Sequence, residues 1–420
     1  IMLLVIIIPL NVFADGMLSL TKFSDKGETL WTYNHQVESY SRSGRLLIDQ
    51  ADDVYFFGDV FYLKIESTGI LSYNNDEIVD QAIIDSANNL IYIRDNYSAG
   101  MADVIVKRDS EGEILWETLC NSAKDIDQLS LDDQDNILAV CGTPLSLNKM
   151  STAGQMIWST ELHDDELTFN YSYFLGVEQG LAFVVVDYIN NSTTNYTSII
   201  AVDDQGNIQS VNNDEEWLDM PFSLTFGNQG FLFSALPAEE TLTLDAYYRH
   251  QGRVVGKFDK QLQKTDEYYP ENIDIIHQFL LDSNENLIIL GSPPNDSALF
   301  ENDEYAQPFG VILEKLSSVH QLLWQASTSP TIYPIKLLLD QQDNIVFLEG
   351  RCSHDGVSPC RQNLHKLDPD GQELFMLSDK RDLYHEDIVL DGNDNVLHSI
   401  FLFTEENAPD DDDEPGCGCF

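Results

Sequence analysis

Residues 104–116 read VIVKRDSEGEILW. An apolar run leads to a lysine, a cluster of polar residues and a glycine follow, and a tryptophan stands nine positions after the lysine. This lysine segment recurs along the chain with the same spacing. The lysines are Lys22, Lys64, Lys107, Lys149, Lys315 and Lys366, and the matching aromatic residues are Trp31, Tyr73, Trp116, Trp158, Trp324 and Phe375. Such a regular recurrence predicts a repeat protein.

A second segment alternates with the lysine segment. This aspartate segment begins with an aspartate, has an asparagine four positions later, and is flanked by apolar residues. Its copies begin at Asp49, Asp85, Asp132, Asp282, Asp340 and Asp391, and Asp53 replaces the asparagine of the first copy. Degenerate aspartate segments at residues 176–180 and 226–230, and degenerate lysine segments at Ala201 and Lys257, complete eight of each kind.

Both segments are typical of β-hairpins, because runs rich in Val, Ile, Leu and Phe flank a tight cluster of Asp, Asn, Gly and Ser. Two hairpins form one four-stranded sheet, and no stretch has helical periodicity over enough turns to predict a substantial helix. Four-stranded sheets repeated around an axis form a β-propeller. The sequence therefore predicts an all-β propeller of eight four-stranded blades, or of seven if the two degenerate units form one blade.

The order of the segments predicts how the propeller closes. The chain opens with a lysine hairpin at residues 18–31 and finishes with an aspartate hairpin at residues 386–401. One blade must therefore combine strands from both termini. We expect a single propeller domain at residues 15–404.

The alternation of K-x-D-x-x-G-x-x-x-W at residues 107–116 with L-D-x-x-D-N-I at residues 131–137 resembles the β-propeller repeats of exported bacterial proteins. Its G-x-x-L-W half is also similar to the tryptophan-docking motif of quinoprotein-like eight-bladed propellers. The resemblance covers nearly all of residues 18–403. It implies that each tryptophan stacks between neighbouring outer strands and that each aspartate hairpin forms the two inner strands of its blade. It implies a fold and is nearly silent about function.

The beginning of the chain is strongly apolar. Residues 1–14 end in Val-Phe-Ala before Asp15, and an apolar run with a small-residue cleavage pattern is typical of a secretory signal peptide, here a remnant of one. The run is shorter than the roughly 18 apolar residues that a membrane anchor needs. We expect export to the periplasm, the cell surface or the extracellular space, with no membrane insertion after cleavage.

Six cysteines are compatible with an oxidising compartment. Cys352 and Cys360 bracket a short polar loop and are the preferred candidates for a disulfide. Cys120 and Cys141 come from consecutive hairpins and are a weaker alternative. The remaining two cysteines lie in residues 405–420, an acidic stretch that we expect to be a disordered tail.

The formal net charge is −49, with 22 basic and 71 acidic residues. Phosphate binding needs clustered lysine and arginine, so this charge excludes a nucleic-acid partner. The charge indicates a solvated acidic surface suited to high salt concentration.

We expect the melting temperature of the chain to rise with NaCl concentration, because salt screens repulsion between like charges. Thermal unfolding followed by circular dichroism at low and at molar NaCl measures this. A melting temperature that stays constant between the two conditions would contradict the prediction.

The repeated polar residues invite two chemical interpretations. Residues 132–136 and 391–395 bring several oxygen ligands together, but neither copy has the twelve-residue loop with a terminal glutamate of an EF-hand. We expect tight turns and no cofactor there, with calcium as the alternative.

One lysine repeated around a ring has different surroundings in each copy, so a catalytic array is not predicted. Each lysine stem is expected to lie between blades and to pair with a turn or neighbouring aspartate.

The sequence contains no G-x-S-x-G, H-E-x-x-H, P-loop or G-x-G-x-x-G motif. Its clearest functional signal is the position of its long connections, at residues 187–197, 236–253, 292–309 and 351–361. All four join an aspartate hairpin to the following lysine hairpin, so they leave the same face, opposite the tight turns. Loops on a rigid scaffold commonly carry binding sites.

The candidate ligand-binding residues are the aromatic and histidine side chains predicted for that face: Tyr188, Tyr196, Trp217, Tyr247, Tyr248, His250, Tyr305 and His354. We expect a monomeric, non-catalytic, exported module that binds a protein or a glycan through this face. The alternative is a cell-envelope hydrolase or lyase with acidic and histidine residues at the channel mouth, for which the candidates are Asp245, His250, Glu301, Asp303 and His354.

Overall fold

The computed structural model describes most of the chain between residues 16 and 403. The described ranges are 16–37, 44–58, 61–94, 102–120, 126–142, 145–162, 168–189, 195–212, 217–218, 224–227, 230–237, 254–273, 275–293, 310–328, 333–351, 361–379 and 383–403. Their regular secondary structure is entirely β-strand. Within these ranges, no helix is long and apolar enough to cross a membrane.

The described ranges contain 33 β-strands. The strands of the first half are β1 (Gly16–Phe23), β2 (Thr29–Val37), β3 (Arg45–Ile48), β4 (Val54–Phe57), β5 (Tyr62–Ile65), β6 (Leu71–Asn75), β7 (Val79–Ile84), β8 (Leu90–Arg94), β9 (Val104–Arg108), β10 (Ile114–Leu119), β11 (Ile126–Leu131), β12 (Ile137–Cys141), β13 (Ser146–Met150), β14 (Met156–Glu161), β15 (Thr168–Glu178), β16 (Leu181–Ile189), β17 (Asn195–Asp203) and β18 (Ile208–Asn212). Those of the second half are β19 (Trp217–Leu218), β20 (Leu224–Gly227), β21 (Gly230–Pro237), β22 (Val254–Phe258), β23 (Lys264–Tyr268), β24 (Ile275–Leu281), β25 (Leu287–Ser292), β26 (Ile312–Leu316), β27 (Leu322–Ser327), β28 (Tyr333–Leu339), β29 (Ile345–Arg351), β30 (Arg361–Leu367), β31 (Glu373–Asp379), β32 (Leu383–Leu390) and β33 (Val396–Phe403).

These strands form eight antiparallel sheets within the described ranges, each built from an aspartate hairpin followed by a lysine hairpin. We number the sheets from the one that contains the first strand. Sheet 1 has the order β32-β33-β1-β2, sheet 2 β3-β4-β5-β6, sheet 3 β7-β8-β9-β10, sheet 4 β11-β12-β13-β14, sheet 5 β15-β16-β17-β18, sheet 7 β24-β25-β26-β27 and sheet 8 β28-β29-β30-β31. Sheet 6 has the order β19-β21-β22-β23, and β20 also pairs with β21.

Sheet 1 combines both ends of the described chain, as the segment order predicts. β1 pairs with β2 on one edge and with β33 on the other, with Leu18 opposite Phe401 and Leu20 opposite Ser399. Its first strand, β32, contacts the first strands of both sheet 2 and sheet 8. The all-β architecture and the predicted combination of termini are therefore confirmed.

The first strand of each regular sheet, and β20 in sheet 6, lies on the inner side of the molecule. Contacts between neighbouring sheets join β3 to β7, β7 to β11, β11 to β15, β20 to β24, β24 to β28, and β28 to β32. The aspartate hairpins thus supply the two inner strands, as the resemblance to quinoprotein-like propellers implies. The two degenerate aspartate segments form separate sheets, 5 and 6, rather than one.

The hydrophobic core lies between sheets. The two middle strands of each regular sheet are buried on both faces, as in β4 and β5, where every residue is buried. The outer strands alternate between half-buried and exposed residues, as in β10. Clusters of buried side chains join consecutive sheets, for example Leu20 of sheet 1 with Phe56 and Leu63 of sheet 2. No sheet buries its apolar faces alone, which is why the repeats must stack.

Candidate functional site

The aspartate that begins each regular aspartate segment organises its turn. In sheet 3, Oδ1 of Asp85 accepts hydrogen bonds from the backbone N–H groups of Ala87 at 3.0 Å and Asn89 at 2.8 Å. Oδ2 accepts a hydrogen bond from Nδ2 of Asn89 at 2.9 Å and lies 2.7 Å from Nζ of Lys107. All of these partners are repeated at Asp132, Asp282, Asp340 and Asp391. The four-residue spacing between aspartate and asparagine is therefore the spacing of one closed turn.

In the six regular lysine segments, the lysine pairs with a turn aspartate of its own sheet, so the predicted pairing with a turn or neighbouring aspartate is confirmed for them. The Nζ–Oδ2 distances are 2.7 Å for Lys22 and Asp391, 2.8 Å for Lys149 and Asp132, 2.9 Å for Lys315 and Asp282, and 2.9 Å for Lys366 and Asp340. These lysines are buried. Nζ of Lys107 also donates to the carbonyl oxygen of Thr152 in sheet 4, at 3.2 Å. Corresponding bonds to the next sheet are made by Lys64, Lys149, Lys315 and Lys366. Each of these five lysines therefore joins two hairpins within a sheet and reaches the next sheet.

The carboxyl groups of these pairs titrate at low pH. Burial alone would raise the pKa of Asp85, but hydrogen bonds from Lys107 and from the side chain and backbone of Asn89 outweigh burial and lower this pKa. The pKa values of Asp132, Asp282, Asp340 and Asp391 are lowered by the same balance. Asp49 is the exception, because burial raises its pKa while Lys64 lies 3.7 Å from it.

We expect the free energy of unfolding to fall as the pH drops below about 4, because five carboxyls have folded-state pKa values below their unfolded value of about 3.9. A lowered pKa contributes stability that is complete above the unfolded pKa and is lost as pH falls through the folded pKa. The raised pKa of Asp49 has the opposite effect on the free energy of unfolding, but it is one carboxyl against five. Denaturant unfolding in molar NaCl, which screens the acidic surface, measures the effect. A free energy of unfolding that stays level down to about pH 2 would contradict it.

The repeated aromatic residues dock on the turn of the next sheet. The ring of Trp116 lies against Gly154, where an added Cβ would come within 2.8 Å of Cδ2. Gly154 has a φ of +75°, so both space and backbone conformation require glycine there. Nε1 of Trp116 donates to the carbonyl oxygen of Thr152 at 3.0 Å. The same ring-to-glycine contact joins Trp31 to Gly69, Tyr73 to Gly112, Trp158 to Gly206, Trp324 to Gly371 and Phe375 to Gly27.

One docking residue was missed by the sequence pattern. The degenerate lysine segment at Lys257 has no aromatic residue nine positions later, but Tyr268 lies 5.2 Å, between ring centroids, from His320 of sheet 7. His320 stands in the glycine position with a φ of +58°. Tyr268 therefore takes the place of the repeated tryptophan. Its offset of eleven positions hid it from a pattern with fixed spacing.

The aspartate turns also contact each other, which the sequence pattern did not indicate. Asp135 has a φ of +58°, and its Oδ1 accepts a hydrogen bond from the backbone N–H of Ser86 in sheet 3 at 3.1 Å. Corresponding backbone hydrogen bonds run from Gln50 to Asn88, Ser283 to Asp343, Gln341 to Asp394 and Gly392 to Asp52. The last of them crosses from sheet 1 to sheet 2. The acidic residues of these turns therefore link neighbouring sheets.

The calcium alternative can be weighed against this geometry. The Asp132 carboxylate already accepts hydrogen bonds from two turn amides and from Asn136, and the Lys149 ammonium lies beside Oδ2. That ammonium occupies the position a cation would take. Among the described residues, no group of three or more His, Cys, Asp or Glu side chains is arranged to hold a metal ion.

The face opposite the tight turns carries the connections from aspartate to lysine hairpins, because the strands are antiparallel. Tyr188 lies in β16 and Tyr196 in β17, and they are opposite each other in register. The prediction that both belong to a connection is wrong: strand pairing continues to Ile189 and Asn195. Trp217 lies in β19, paired with Pro237 of β21.

The other candidate ligand-binding residues, Tyr247, Tyr248, His250, Tyr305 and His354, lie outside the described residues. So do the alternative catalytic candidates Asp245, Glu301 and Asp303, residues 1–15 and residues 405–420. The preferred disulfide partners Cys352 and Cys360 also lie outside the described residues.

A disulfide is present at the weaker of the two predicted positions. Cys120 follows β10 in sheet 3, and Cys141 ends β12 in sheet 4, with 6.2 Å between their Cα atoms. Both residues are buried. The bond therefore joins two consecutive sheets covalently at the face that carries the connections.

A set of polar side chains lines the inner edge of the molecule, and the sequence analysis did not single it out. Six of the first strands carry a polar residue four positions before the turn aspartate. We call these residues the inner ring: Arg45, Gln81, Gln128, Gln278, Lys336 and Asp387. A regular offset from the repeated aspartate is the signal that identifies them.

Inner-ring side chains accept hydrogen bonds from the next sheet. Oε1 of Gln278 accepts from the backbone N–H of Leu337 at 2.8 Å, and Oδ2 of Asp387 accepts from the backbone N–H of Leu46 at 2.8 Å. The donating N–H belongs in each case to a first strand, which pairs with another strand along one edge only. This N–H group therefore lies on the free inner edge of its sheet, and the inner-ring residues lie along the same edge.

Similarity to known proteins is found among solved structures. No protein-family model and no curated protein sequence matches the chain. Among solved structures, the β-propeller domain of the trilobed protease from Pyrococcus furiosus is 10% identical, with a TM-score of 0.49, over 81% of this chain and 99% of that one. Streptogramin B lyase is 11% identical, with a TM-score of 0.47, over 79% of this chain and 94% of that one. The WD40 β-propeller domain of Doa1 is 10% identical, with a TM-score of 0.41, over 79% of this chain and 95% of that one. At these identities the similarity concerns the fold alone. The β-propeller assignment rests on the repeated four-stranded sheets of this chain and the contacts between their inner strands.

Proposed function

We propose that this chain is an exported, non-catalytic binding module that holds a protein or glycan partner with the face carrying its long connections. We further propose that its repeats are of the tryptophan-docking type. The docking of Trp116 and Trp324 on Gly154 and Gly371 supports the second proposal. Export, monomeric state and partner class are part of the proposal, supported by the apolar start of the chain, its six cysteines and its charge.

One observation carries the binding proposal: the two faces of the molecule differ in how their polar groups are used. On the turn face, carboxylates such as Asp85 and Asp135 bond to turn amides, to lysine or to the neighbouring turn. These groups hold the scaffold together and are not available to a partner. The opposite face carries the connections of variable length, which is where a rigid scaffold places recognition.

The chemistry of a partner follows from the charge distribution. Six of the 22 basic residues are buried in ion pairs with turn aspartates. These pairs are neutral, so the net charge of −49 is carried by the remaining residues. An acidic surface disfavours anionic macromolecules. Tyrosine and tryptophan side chains give contact area with little loss of conformational entropy, which suits a protein or a glycan.

Binding of the mature chain to glycan arrays and to purified envelope proteins tests the proposal. Tyr247→Ala/Tyr248→Ala is expected to reduce the signal of any selected ligand at least tenfold, as for loss of a binding hot spot. The matched control is Asp133→Ala/Gln134→Ala, two exposed positions on the turn face, which is expected to leave the signal unchanged. Equal loss in both variants, or loss in the control only, would place the binding surface elsewhere.

A further inference from the structure

Sheet 6 keeps the lysine of the repeat without its aspartate. In sheet 3, Lys107 is opposite the residue that follows Asp85 by six positions. In sheet 6, Lys257 is opposite the residue that follows Phe226 by six positions. Phe226 therefore stands where the regular sheets have the turn aspartate, while the lysine of the same pair is retained.

The other degenerate sheet has lost both members of the pair. In sheet 5, Ala201 stands at the lysine position, and residues 176–180 contain no aspartate. The loss of one charge is thus matched there by the loss of the other. Among the eight sheets of the described ranges, only sheet 6 keeps a repeated lysine whose turn aspartate is missing.

The ammonium of Lys257 has no hydrogen-bond or ion-pair partner among the described residues. The ring of Phe226 lies on the other side of sheet 6, where it contacts Phe183 of sheet 5 with 5.6 Å between ring centroids. Val255, two positions before Lys257 on β22, packs in the core between sheets 6 and 7, so Lys257 also faces sheet 7. Lys257 is half-buried, and a partly desolvated cation is unfavourable without a counterion.

A cavity of about 20 Å³ lies beside Lys257, between sheets 6 and 7. About 10–15 Å³ is enough for one water molecule, so the cavity admits one particle of about that size and is too small for a phosphate or a sugar. Besides three leucine side chains, its walls include Gly227, Gly230 and Lys257 of sheet 6 and Glu285, Ser317 and His320 of sheet 7. The cavity lies at the turn face, apart from the face proposed to bind a partner.

From this arrangement we propose that Lys257 binds a chloride ion in the place of the missing carboxylate. In sheet 3, Asp85 supplies the negative charge at 2.7 Å from Nζ of Lys107. A single chloride supplies the same charge to Lys257 and is monatomic, as the volume of the cavity requires. The hydroxyl of Ser317 on the cavity wall is a further hydrogen-bond donor for the anion.

Glu285 is the carboxylate on the cavity wall, and it disfavours an anion there. Its φ of +61° places it at the turn position that Asp135 holds in sheet 4. Glu285 has an interaction of its own and does not pair with Lys257. It therefore leaves the lysine without a counterion, and its removal is expected to strengthen chloride binding.

Line broadening in chlorine NMR tests the site, because chloride that exchanges with a protein site relaxes faster than free chloride. The chain is titrated with NaCl up to molar concentration, and sodium gluconate keeps the ionic strength constant. We expect broadening that saturates with chloride. Lys257→Met is expected to lose most of this broadening. Phe226→Asp is expected to lose it too, because the restored carboxylate pairs with Lys257, and this variant keeps the test decisive if Lys257→Met does not fold.

Two further variants serve as controls. Lys264→Met removes a lysine of the neighbouring strand β23, which pairs with Glu267, and is expected to broaden the signal like the parent chain. Glu285→Gln is expected to bind chloride more tightly. No saturable broadening in the parent chain, or equal loss in Lys264→Met and Lys257→Met, would overturn the proposal. So would broadening that appears only in Glu285→Gln, since Glu285 would then neutralise Lys257.

Thermal unfolding gives a second readout. A ligand that binds only the folded chain raises the melting temperature, whereas chloride and gluconate at equal ionic strength screen the acidic surface equally. We expect the melting temperature in chloride, relative to gluconate, to be higher for the parent chain than for Lys257→Met. An equal difference between the two salts in both proteins would contradict a chloride site at Lys257.

Discussion

Replacing Lys107 with methionine is expected to lower the free energy of unfolding by about 3 to 5 kcal/mol, the cost of breaking a buried ion pair. Lys107 and Asp85 are both buried, and methionine fills most of the volume of the lysine stem. The variant leaves the Asp85 carboxylate in the core without its ammonium partner, and it removes the hydrogen bond to Thr152 in the next sheet. Denaturant unfolding at neutral pH measures the loss.

The matched control for this prediction is Lys264→Met. Lys264 begins the outer strand β23, and its ion pair with Glu267 is partly exposed. Exposed pairs contribute about 0 to 1 kcal/mol, so this variant is expected to change stability by less than that. A Lys107→Met variant as stable as Lys264→Met would mean that the repeated lysine does not hold the sheets together.

Replacing Trp116 with alanine is expected to cost about 3 kcal/mol, the lower end of the range for large aromatic residues because part of the ring remains exposed. The variant removes the contact with Gly154 and the hydrogen bond to Thr152, so it separates the outer strands of sheets 3 and 4. Thermal and denaturant unfolding measure the loss.

Leu115→Ala is the matched control for Trp116→Ala, since Leu115 is the preceding residue on the same strand and is 50% exposed. It is expected to change stability by about 0.5 kcal/mol or less. If the two variants lose equal stability, the aromatic residue does not dock between sheets as described.

The hairpins were predictable because each depends on local chemistry that the sequence repeats. An aspartate that binds the amides two and four residues ahead requires the spacing seen at Asp85 and Asn89. A turn glycine that has a positive φ and contacts an aromatic ring must stand at a fixed position in its segment, as Gly154 does. The union of both termini in sheet 1 followed from the order of the segments alone, since no other hairpin was left to complete the sheet.

Contacts between sheets were harder to predict, because they join residues distant in sequence. The hydrogen bond from Gly392 to Asp52 joins residues 340 positions apart, and nothing in either segment marks the pair. Tyr268 replaces the tryptophan at a different offset. The disulfide between Cys120 and Cys141 depends on the approach of two sheets, whereas the sequence favoured Cys352 and Cys360 because they bracket one short loop.

The ends of the strands at the candidate face were predicted less well than the repeated turns. Tyr188 and Tyr196 lie in paired strands rather than in a loop, because alternation of apolar and polar residues marks the strand interior better than its ends. The inner ring escaped notice because its members, such as Gln278, Lys336 and Asp387, share a position and a polar character but no residue type. Only the strand order shows that these positions follow one edge.

The central claim is that the two ends of the chain form one sheet, and a cross-link tests it most directly. Met17 in β1 is opposite Leu402 in β33, so Met17→Cys/Leu402→Cys is expected to form a disulfide under mild oxidation, identified by peptide mass spectrometry. Met17→Cys/Leu374→Cys, with Leu374 exposed on β31 of sheet 8, is the control and is expected to give no intramolecular cross-link. Efficient linkage of residues 17 and 402 alone is the expected result. No linkage between them, or equal linkage in the control, would contradict a propeller completed by both termini.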